Sequence, residues 1–420
     1  MTTAKQPSCS DHFESGLLAV DSALANILSK LSPVDGFQQI AIADARGRTL
    51  DETIYAPFNV PGHDNSAVDG YAINSSDIPN QGHKSLPIGG QAFAGKPFSG
   101  RLPKGQCIRI MTGAPIPAGV DSVIMQEHVV VEQNGILIDS EHRAGQNIRR
   151  AGEDIPQGAA MLSAGKLLAP ADIGLLASIG MAEIKVKRPL RIAIASTGDE
   201  LHALGEHRAE GGVYDSNRYS LQAALDRKDI EILDLGILAD KPDTLLSQFS
   251  EASRYADMII SSGGVSVGDA DFTKTALQEA GQIDFWKIAL KPGRPLAFGT
   301  LNDSVFFGLP GNPVAVMVTF YQFVLPAIEK MLGIVDKPIA PTVTAVSTET
   351  IRKKPGRTEV VRGILEPQAN GQWTIKTTGK QGSGLLRSMS LANAFIILEH
   401  DRTTVGIGET VKVQPFAGLI

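Results

Sequence analysis

Four loops in the middle of the chain carry residue types that suit a phosphate-bearing ligand. The stretch STGDEL, residues 196–201, follows the apolar run LRIAIAST. Gly198 lets the backbone approach a ligand closely, and Asp199 and Glu200 are candidates for binding Mg²⁺ or acting as a base. The stretch SSGGVSVGDADFTK, residues 261–274, turns on Gly263 and Gly264 and carries Ser261, Ser262, Ser266, Asp269 and Asp271. Asp271 suits the N-cap of a following helix, but a cap does not account for so many Gly, Ser and Asp residues in one crossing. In KIALKPGRPLAFG, Lys287, Lys291 and Arg294 surround a Pro-Gly turn, which fits an oxyanion as well as a solvated charged face. In GLPGNPVA, residues 308–315, Asn312 caps a long helix with Pro313 at its first position, and such an N-terminus also attracts anions. None of these loops is specific alone. Together they suit a nucleotide or phosphate ester held with a divalent ion. The chain has no G-x-x-x-x-G-K-[ST] run, which disfavours a P-loop NTPase, and offers no Ser-His-Asp arrangement.

The elements that must position these loops are legible around them. LRIAIAST has no polar face, as expected of a strand covered on both sides. Helix SNRYSLQAALDRK, strand IEILDLG, helix PDTLLSQFSEASRYA, strand DMIISS, helix FTKTALQEAG and strand DFWKIA follow. The hairpin LAFGTLNDSVFFG and a long helix from Pro313 complete residues 189–335. Strands alternating with helices indicate a parallel, doubly wound sheet, with ligands expected where strands end and helices begin. Residues 339–420 return to short strands, TEVVRGIL, QWTIKTT, AFIILE and ETVKVQPF, and are expected to form a small barrel-like β domain. Residues 1–188 open with a helical pattern over 11–31 and continue as a β-rich region with a helix at about 170–179. Two subdomains are expected there, with about 60–148 inserted.

Polar islands recur in that first region. PGHDNSAVDGYA holds Asp64, Asn65, Ser66 and Asp69; RIMTGAPIP holds Thr112; RRAGEDI holds Arg149, Arg150, Glu153 and Asp154. Each reads singly as a turn.

The whole chain sets outer limits. Its 420 residues, 43% hydrophobic and 20% charged, read as globular, and a net charge of −6 without a basic run argues against nucleic acid. Two cysteines, Cys9 and Cys107, form no CxxC pair, which gives a zinc ribbon or disulfide scaffold no support. The greasiest window, PVAVMVTFYQFVLPAI, is interrupted by Gln322 and Pro326 and reads as a buried helix rather than a membrane span. With no apolar signal core in MTTAKQPSCSDHF, the expected compartment is the cytoplasm.

Taken in order, PGHDNSAVDGYA, RIMTGAPIPAGVDSVIMQE, RRAGEDI, STGDEL, YDSNR, SSGGVSVGDADFTK, KPGRP and GLPGNPV resemble the molybdopterin molybdenumtransferases. This is the MoeA family, which includes the E domain of gephyrin, and the likeness runs from about residue 11 to the C-terminus. It implies an elongated homodimer that inserts molybdate into adenylylated molybdopterin and releases AMP, with Mg²⁺ or another divalent ion such as Zn²⁺. It also implies a cleft shared between subunits, and a possible contact with the adenylyltransferase that makes the substrate. The matching positions are Asp69, Thr112, Asp154, Glu200 and Asp271 for catalysis, and Glu200, Asp240 and Asp271 for the metal. For substrate binding they are Lys287, Lys291, Pro310, Pro313, Arg362 and Ser383, to which the reading of the loops adds Gly263, Gly264, Ser266 and Arg294. Two departures stand out: Arg294 where lysine is common, which keeps the charge, and His63 where an aromatic residue is usual, which bears on metal affinity. Two competing readings are the adenylyltransferase, which needs only the α/β domain, and a receptor-clustering scaffold, for which the full acidic set has no use.

Overall fold

The computed structural model describes residues 16–263, 281–335 and 342–416. Their contacts divide them into two compact units. The described parts of Met1–Asp51, Gly165–Ala169 and Ile184–Ile420 form the first, and Glu52–Ala164 with Pro170–Glu183 the second.

Strand Leu190–Thr197 organises the first unit. All its residues but Arg191 are buried, and successive side chains go to opposite faces. Ile192 and Ile194 pack with Leu221, Leu225, Phe307 and Val316, while Ala193 and Ala195 pack with Leu245, Phe249 and Phe306. Helices Asn217–Leu225 and Pro313–Thr319 therefore cover one face and Pro242–Ala252 the other. Strand order is Ile230–Leu238, Leu190–Thr197, Met258–Ser262, Ser304–Leu309, Pro295–Leu301, Gln282–Lys287. The first four run parallel.

The last two strands pair antiparallel, Pro295–Leu301 with Ser304–Leu309 as the expected hairpin and with Gln282–Lys287 at the sheet edge. The reason is the turn in LAFGTLNDSVFFG. Leu301 pairs with Ser304, and Asn302 takes a left-handed φ of 52°. A two-residue connection joins only antiparallel neighbours. Register aligns the ends of the parallel strands, with Thr197 opposite Leu238 and Ser262 opposite Leu309, so the loops of interest leave from one edge.

The apolar window after Asn312 folds as one helix, Pro313–Met331, running unbroken through Gln322 and Pro326. It is 19 residues long, enough by length and composition to cross a bilayer, yet 72% of its apolar window is buried in the protein. A π-helical stretch, Phe320–Val324, precedes Pro326, whose missing N–H would leave a gap in a regular ladder. Gln322 Nε2 donates to Gln414 Oε1 at 3.0 Å, which satisfies the amide that argues against a membrane span.

Of the remaining described α-helices, only the short Arg387–Leu391 was not expected. Val20–Ser29 packs Ala23 and Ile27 into the main core, and Pro170–Ser178 begins on its proline. The expected helix FTKTALQEAG lies outside the described residues. Residues 342–416 close a five-stranded barrel in the order Thr358–Pro367, Trp373–Thr377, Val343–Ser347, Thr410–Pro415, Ala394–Leu398 and back to the first. Leu290–Lys291 pairs in parallel with Thr358 and Glu359, which fastens the KPGRP loop to the barrel.

The second unit carries a six-stranded sheet ordered Ser122–Met125, Gly70–Ile73, Cys107–Ile110, His83–Ala92, Gly135–Asp139, Val130–Glu132. Cys107 is buried within it, and burial pushes its thiol pKa up to about 12, so it is unreactive.

Candidate active site

A cavity of about 990 Å³ opens at the carboxyl ends of the parallel strands, lined wholly by residues of the first unit. Its size suits a small organic ligand. The loop after Leu190–Thr197 contributes Gly198 and Glu200, and the strand Ile230–Leu238 is followed by Asp240. Gly263 comes from the third strand end and Pro310 and Pro313 from the fourth. Lys291 and Arg294 line it from the KPGRP turn and Ser383 from the barrel region. These nine residues, all singled out in the sequence, thus meet at one place.

Glycine is required at two of these positions. Gly263 has φ 94°, and a Cβ there would strike the Thr197 carbonyl. Gly198 has φ 149°, and a Cβ would stand 2.6 Å from Glu200 Oε2, so the Glu200 carboxylate folds back over it.

The acidic side of the cavity repels itself. Partial burial, then the neighbouring charges of Asp199 and Glu200, hold the Asp240 carboxyl above the usual carboxylate range. The Asp240 N–H also points at Asp199 Oδ1, 3.4 Å away. Among the described residues no three His, Cys, Asp or Glu side chains converge on one metal position. The fit to an ion is therefore that of two neighbouring carboxylates, Glu200 and Asp240. That is as many as Mg²⁺ commonly takes from a protein when water and substrate phosphates complete its shell.

YDSNR supplies the wall beside them. Asp215 is 1% exposed. It accepts from Ser196 Oγ at 3.0 Å and from Arg218 Nε at 3.0 Å; Arg218 bonds Asp234 as well. Asn217 Nδ2 donates to Ser262 Oγ at 2.8 Å and to Gly311 O at 2.7 Å, tying two strand ends together.

Several expectations are revised by these surroundings. The three cations of KPGRP do not act as one cluster. Lys287 does not line the cavity, and Lys291 Nζ is 3.2 Å from Glu359 Oε2. Arg362 does not line it either. It is 1% exposed and bonded to Ser388 Oγ and the carbonyls of Val360 and Gly382. Gly264, Ser266 and Asp271 lie outside the described residues. Thr197, Asp215 and Asn217 line the cavity but were not singled out from sequence, although each stands in or beside a quoted motif.

Asp69, Thr112 and Asp154 belong to the second unit. Asp69 Oδ1 accepts from the N–H and the Oγ1 of Thr112, both at 2.7 Å. Asp64 accepts from Arg150 Nη1 at 2.7 Å and from the Ala151 N–H at 2.8 Å. The islands PGHDNSAVDG, RIMTG and RRAGED are therefore neighbours in space, although Asp154 has an exposed side chain.

The Thr112 bonds, backbone first, hold the Asp69 carboxyl below its usual range. A depressed folded pKa stabilises above the ordinary Asp value of about 3.9, and the contribution is lost as pH falls through the folded pKa. Thr112→Val removes one of the two bonds. It should lower the melting temperature slightly at pH 7, by a margin that narrows as acid protonates Asp69. A gap that is constant with pH would separate the threonine's contribution from this carboxylate.

An open α/β sheet with a ligand-sized cavity at its strand ends, joined to a small closed barrel, defines a class of multidomain small-molecule enzymes. Comparison narrows the class. Residues 18–180 match the MoeA N-terminal region (domains I and II), 193–330 a probable molybdopterin binding domain, and 344–416 the MoeA C-terminal region (domain IV). The chain is 43% identical over 405 residues to the molybdopterin molybdenumtransferase of Haemophilus influenzae, covering 96% of this chain and 100% of that one. It is 36% identical to the Nostoc enzyme of the same name, covering 93% of this chain and 92% of the relative. A crystal structure of the molybdopterin biosynthesis moeA protein from Pyrococcus horikoshii superposes with a TM-score of 0.83 at 28% identity, covering 95% of this chain and all of that one. The chain belongs to the MoeA family.

Proposed function

We propose that this chain is a molybdopterin molybdenumtransferase, which inserts molybdenum into molybdopterin during cofactor biosynthesis. The observation that carries the reading is the cavity of about 990 Å³, which acidic and cationic residues line together at the strand ends. Near-full-length likeness to enzymes of that name supports it.

The finer reading is that the substrate is adenylylated molybdopterin and that molybdate, a dianion, enters as AMP leaves. Lys291 and Arg294 attract and orient the anionic groups. Gly198 and Gly263 let backbone approach the ligand where a side chain would clash. Glu200 and Asp240, with Asp271, would hold Mg²⁺ or another divalent ion such as Zn²⁺; when bound, it neutralises charge on the pyrophosphate and eases the departure of AMP.

A homodimer is part of the reading, with Asp69, Thr112 and Asp154 of one subunit completing the cleft of its partner. The placement of these three residues in the second unit, apart from the cavity-lining set, motivates this. A cytoplasmic location, in keeping with the free thiol of Cys107, and contact with the adenylyltransferase that supplies the substrate complete it.

Purified protein given adenylylated molybdopterin, molybdate and Mg²⁺ should form the molybdenum cofactor and release AMP in equal amounts. Adenylylation of free molybdopterin instead would identify the adenylyltransferase, and neither reaction would leave a scaffold. Mixed dimers of Asp69→Asn and Asp271→Asn subunits should regain activity. Mixed dimers that form without regaining it would rule out the shared cleft.

A further inference from the structure

Two of the cavity-lining residues, Thr197 and Asn217, have a buried side-chain oxygen, Oγ1 and Oδ1, with no hydrogen-bond partner among the described residues. Buried polar groups in folded proteins are nearly always paired, and the exceptions call for a reason. Thr197 is only 4% exposed and ends strand Leu190–Thr197 at the cavity's edge, with Gly263 packed against it.

The geometry of Asn217 fixes what it can bind. Its Nδ2 donates to Gly311 O at 2.7 Å. A carbonyl only accepts, so the amide nitrogen must lie on that side and the oxygen on the other. Oδ1 is therefore an acceptor that still needs a donor. The Thr197 hydroxyl can donate or accept. Molybdate and phosphate oxygens at neutral pH are acceptors and cannot serve Asn217. An N–H group on a heterocycle can.

We infer that Thr197 and Asn217 complete their hydrogen bonds on the substrate, and that Asn217 Oδ1 selects an exocyclic amino group on a ring. The inference rests on the molybdopterin reading and deepens it. Two rings in that reading carry such a group, the amino-pyrimidinone of the pterin and adenine.

The test uses the full-length protein. Thr197→Val exchanges a hydroxyl for a methyl of the same shape and keeps the β-branching the strand favours. Without ligand its melting temperature should equal or exceed that of wild type, because an unpaired polar group is removed. Its affinity for molybdopterin or AMP should fall about three- to tenfold, the worth of one neutral hydrogen bond.

Calorimetry on wild type then compares AMP with inosine monophosphate, and pterin with lumazine, its 2-oxo analogue. Discrimination of tenfold or more is expected in the arm whose amino group meets Asn217, which identifies the ring. Thr197→Val that melts lower and binds as wild type would make its hydroxyl a structural group. No discrimination in either arm would remove the assignment of Asn217. Wild type binding neither molybdopterin nor AMP would overturn the inference together with the reading beneath it, whereas binding without these effects overturns the inference alone.

Discussion

Asp240→Asn should cut molybdenum insertion by about 10²–10³-fold while the ligand-free protein melts at or slightly above the wild-type temperature. The activity loss follows from the charge a divalent ion would neutralise. That effect is worth several kcal/mol, and each ~1.4 kcal/mol is tenfold in rate. The stability effect follows from the crowding of Asp240 by Asp199 and Glu200. A carboxyl whose folded pKa is raised binds its proton more tightly folded than unfolded. Stability then falls as pH rises from the ordinary Asp value to the raised one, and the penalty persists above it. Asparagine carries no such penalty. The gain is small because the Asp240 side chain is exposed and water screens it. A readout independent of activity completes the experiment: Mg²⁺ should raise the melting temperature of wild type and leave Asp240→Asn unmoved. Equal Mg²⁺ shifts with near-wild-type turnover would reduce Asp240 to a surface acid.

Much of this site was legible in the sequence because glycines and carboxylates after β-branched runs announce strand ends. Leu190–Thr197 and Met258–Ser262 have no polar face, so their termini, and the loops leaving them, could be placed without coordinates. Four of the five barrel strands were legible for a similar reason, Val343–Ser347 being the exception, but closure was not: it depends on Thr358–Pro367 pairing with both Trp373–Thr377 and Ala394–Leu398, a long-range choice that no local pattern states. The antiparallel edge of the α/β sheet was implicit in the hairpin and became visible only with its register. Thr197 and Asn217 escaped notice because their significance lies in a missing partner, which composition does not record. Lys291 looked available from its type and neighbours, and Glu359, 68 positions further on, changes that. Arg362 was reached only through family resemblance, and nothing in the residue pattern hints that its charge is buried.

That burial makes Arg362→Ala the largest stability loss expected in this protein, about 3–5 kcal/mol. The side chain is 1% exposed in strand Thr358–Pro367. Its Nε donates to Ser388 Oγ at 3.1 Å, and its other nitrogens to Val360 O at 3.5 Å and Gly382 O at 3.3 Å. None of these partners is a carboxylate. Burial lowers the guanidinium pKa to about 10, which still leaves it charged at neutral pH. The backbone of the same residue exchanges bonds with Gln381, at 2.9 Å and 3.1 Å. Residue 362 thus holds Gln381 and Gly382, which line the cavity beside Ser383, and the Ser383 carbonyl accepts from the Val314 N–H at the start of the long helix. Alanine would leave a side-chain-sized void and unpaired carbonyls, and both terms destabilise. Arg362→Lys keeps the charge but not the planar fork, so it should recover part of the stability and leave the 381–384 loop poorly held. The signature of this positioning role is a raised KM for the molybdopterin substrate in Arg362→Lys with kcat changed less. An alanine variant that unfolds at the wild-type denaturant concentration would show that the guanidinium anchors nothing. A lysine variant with full stability and unchanged KM would show that charge alone suffices behind the cavity wall.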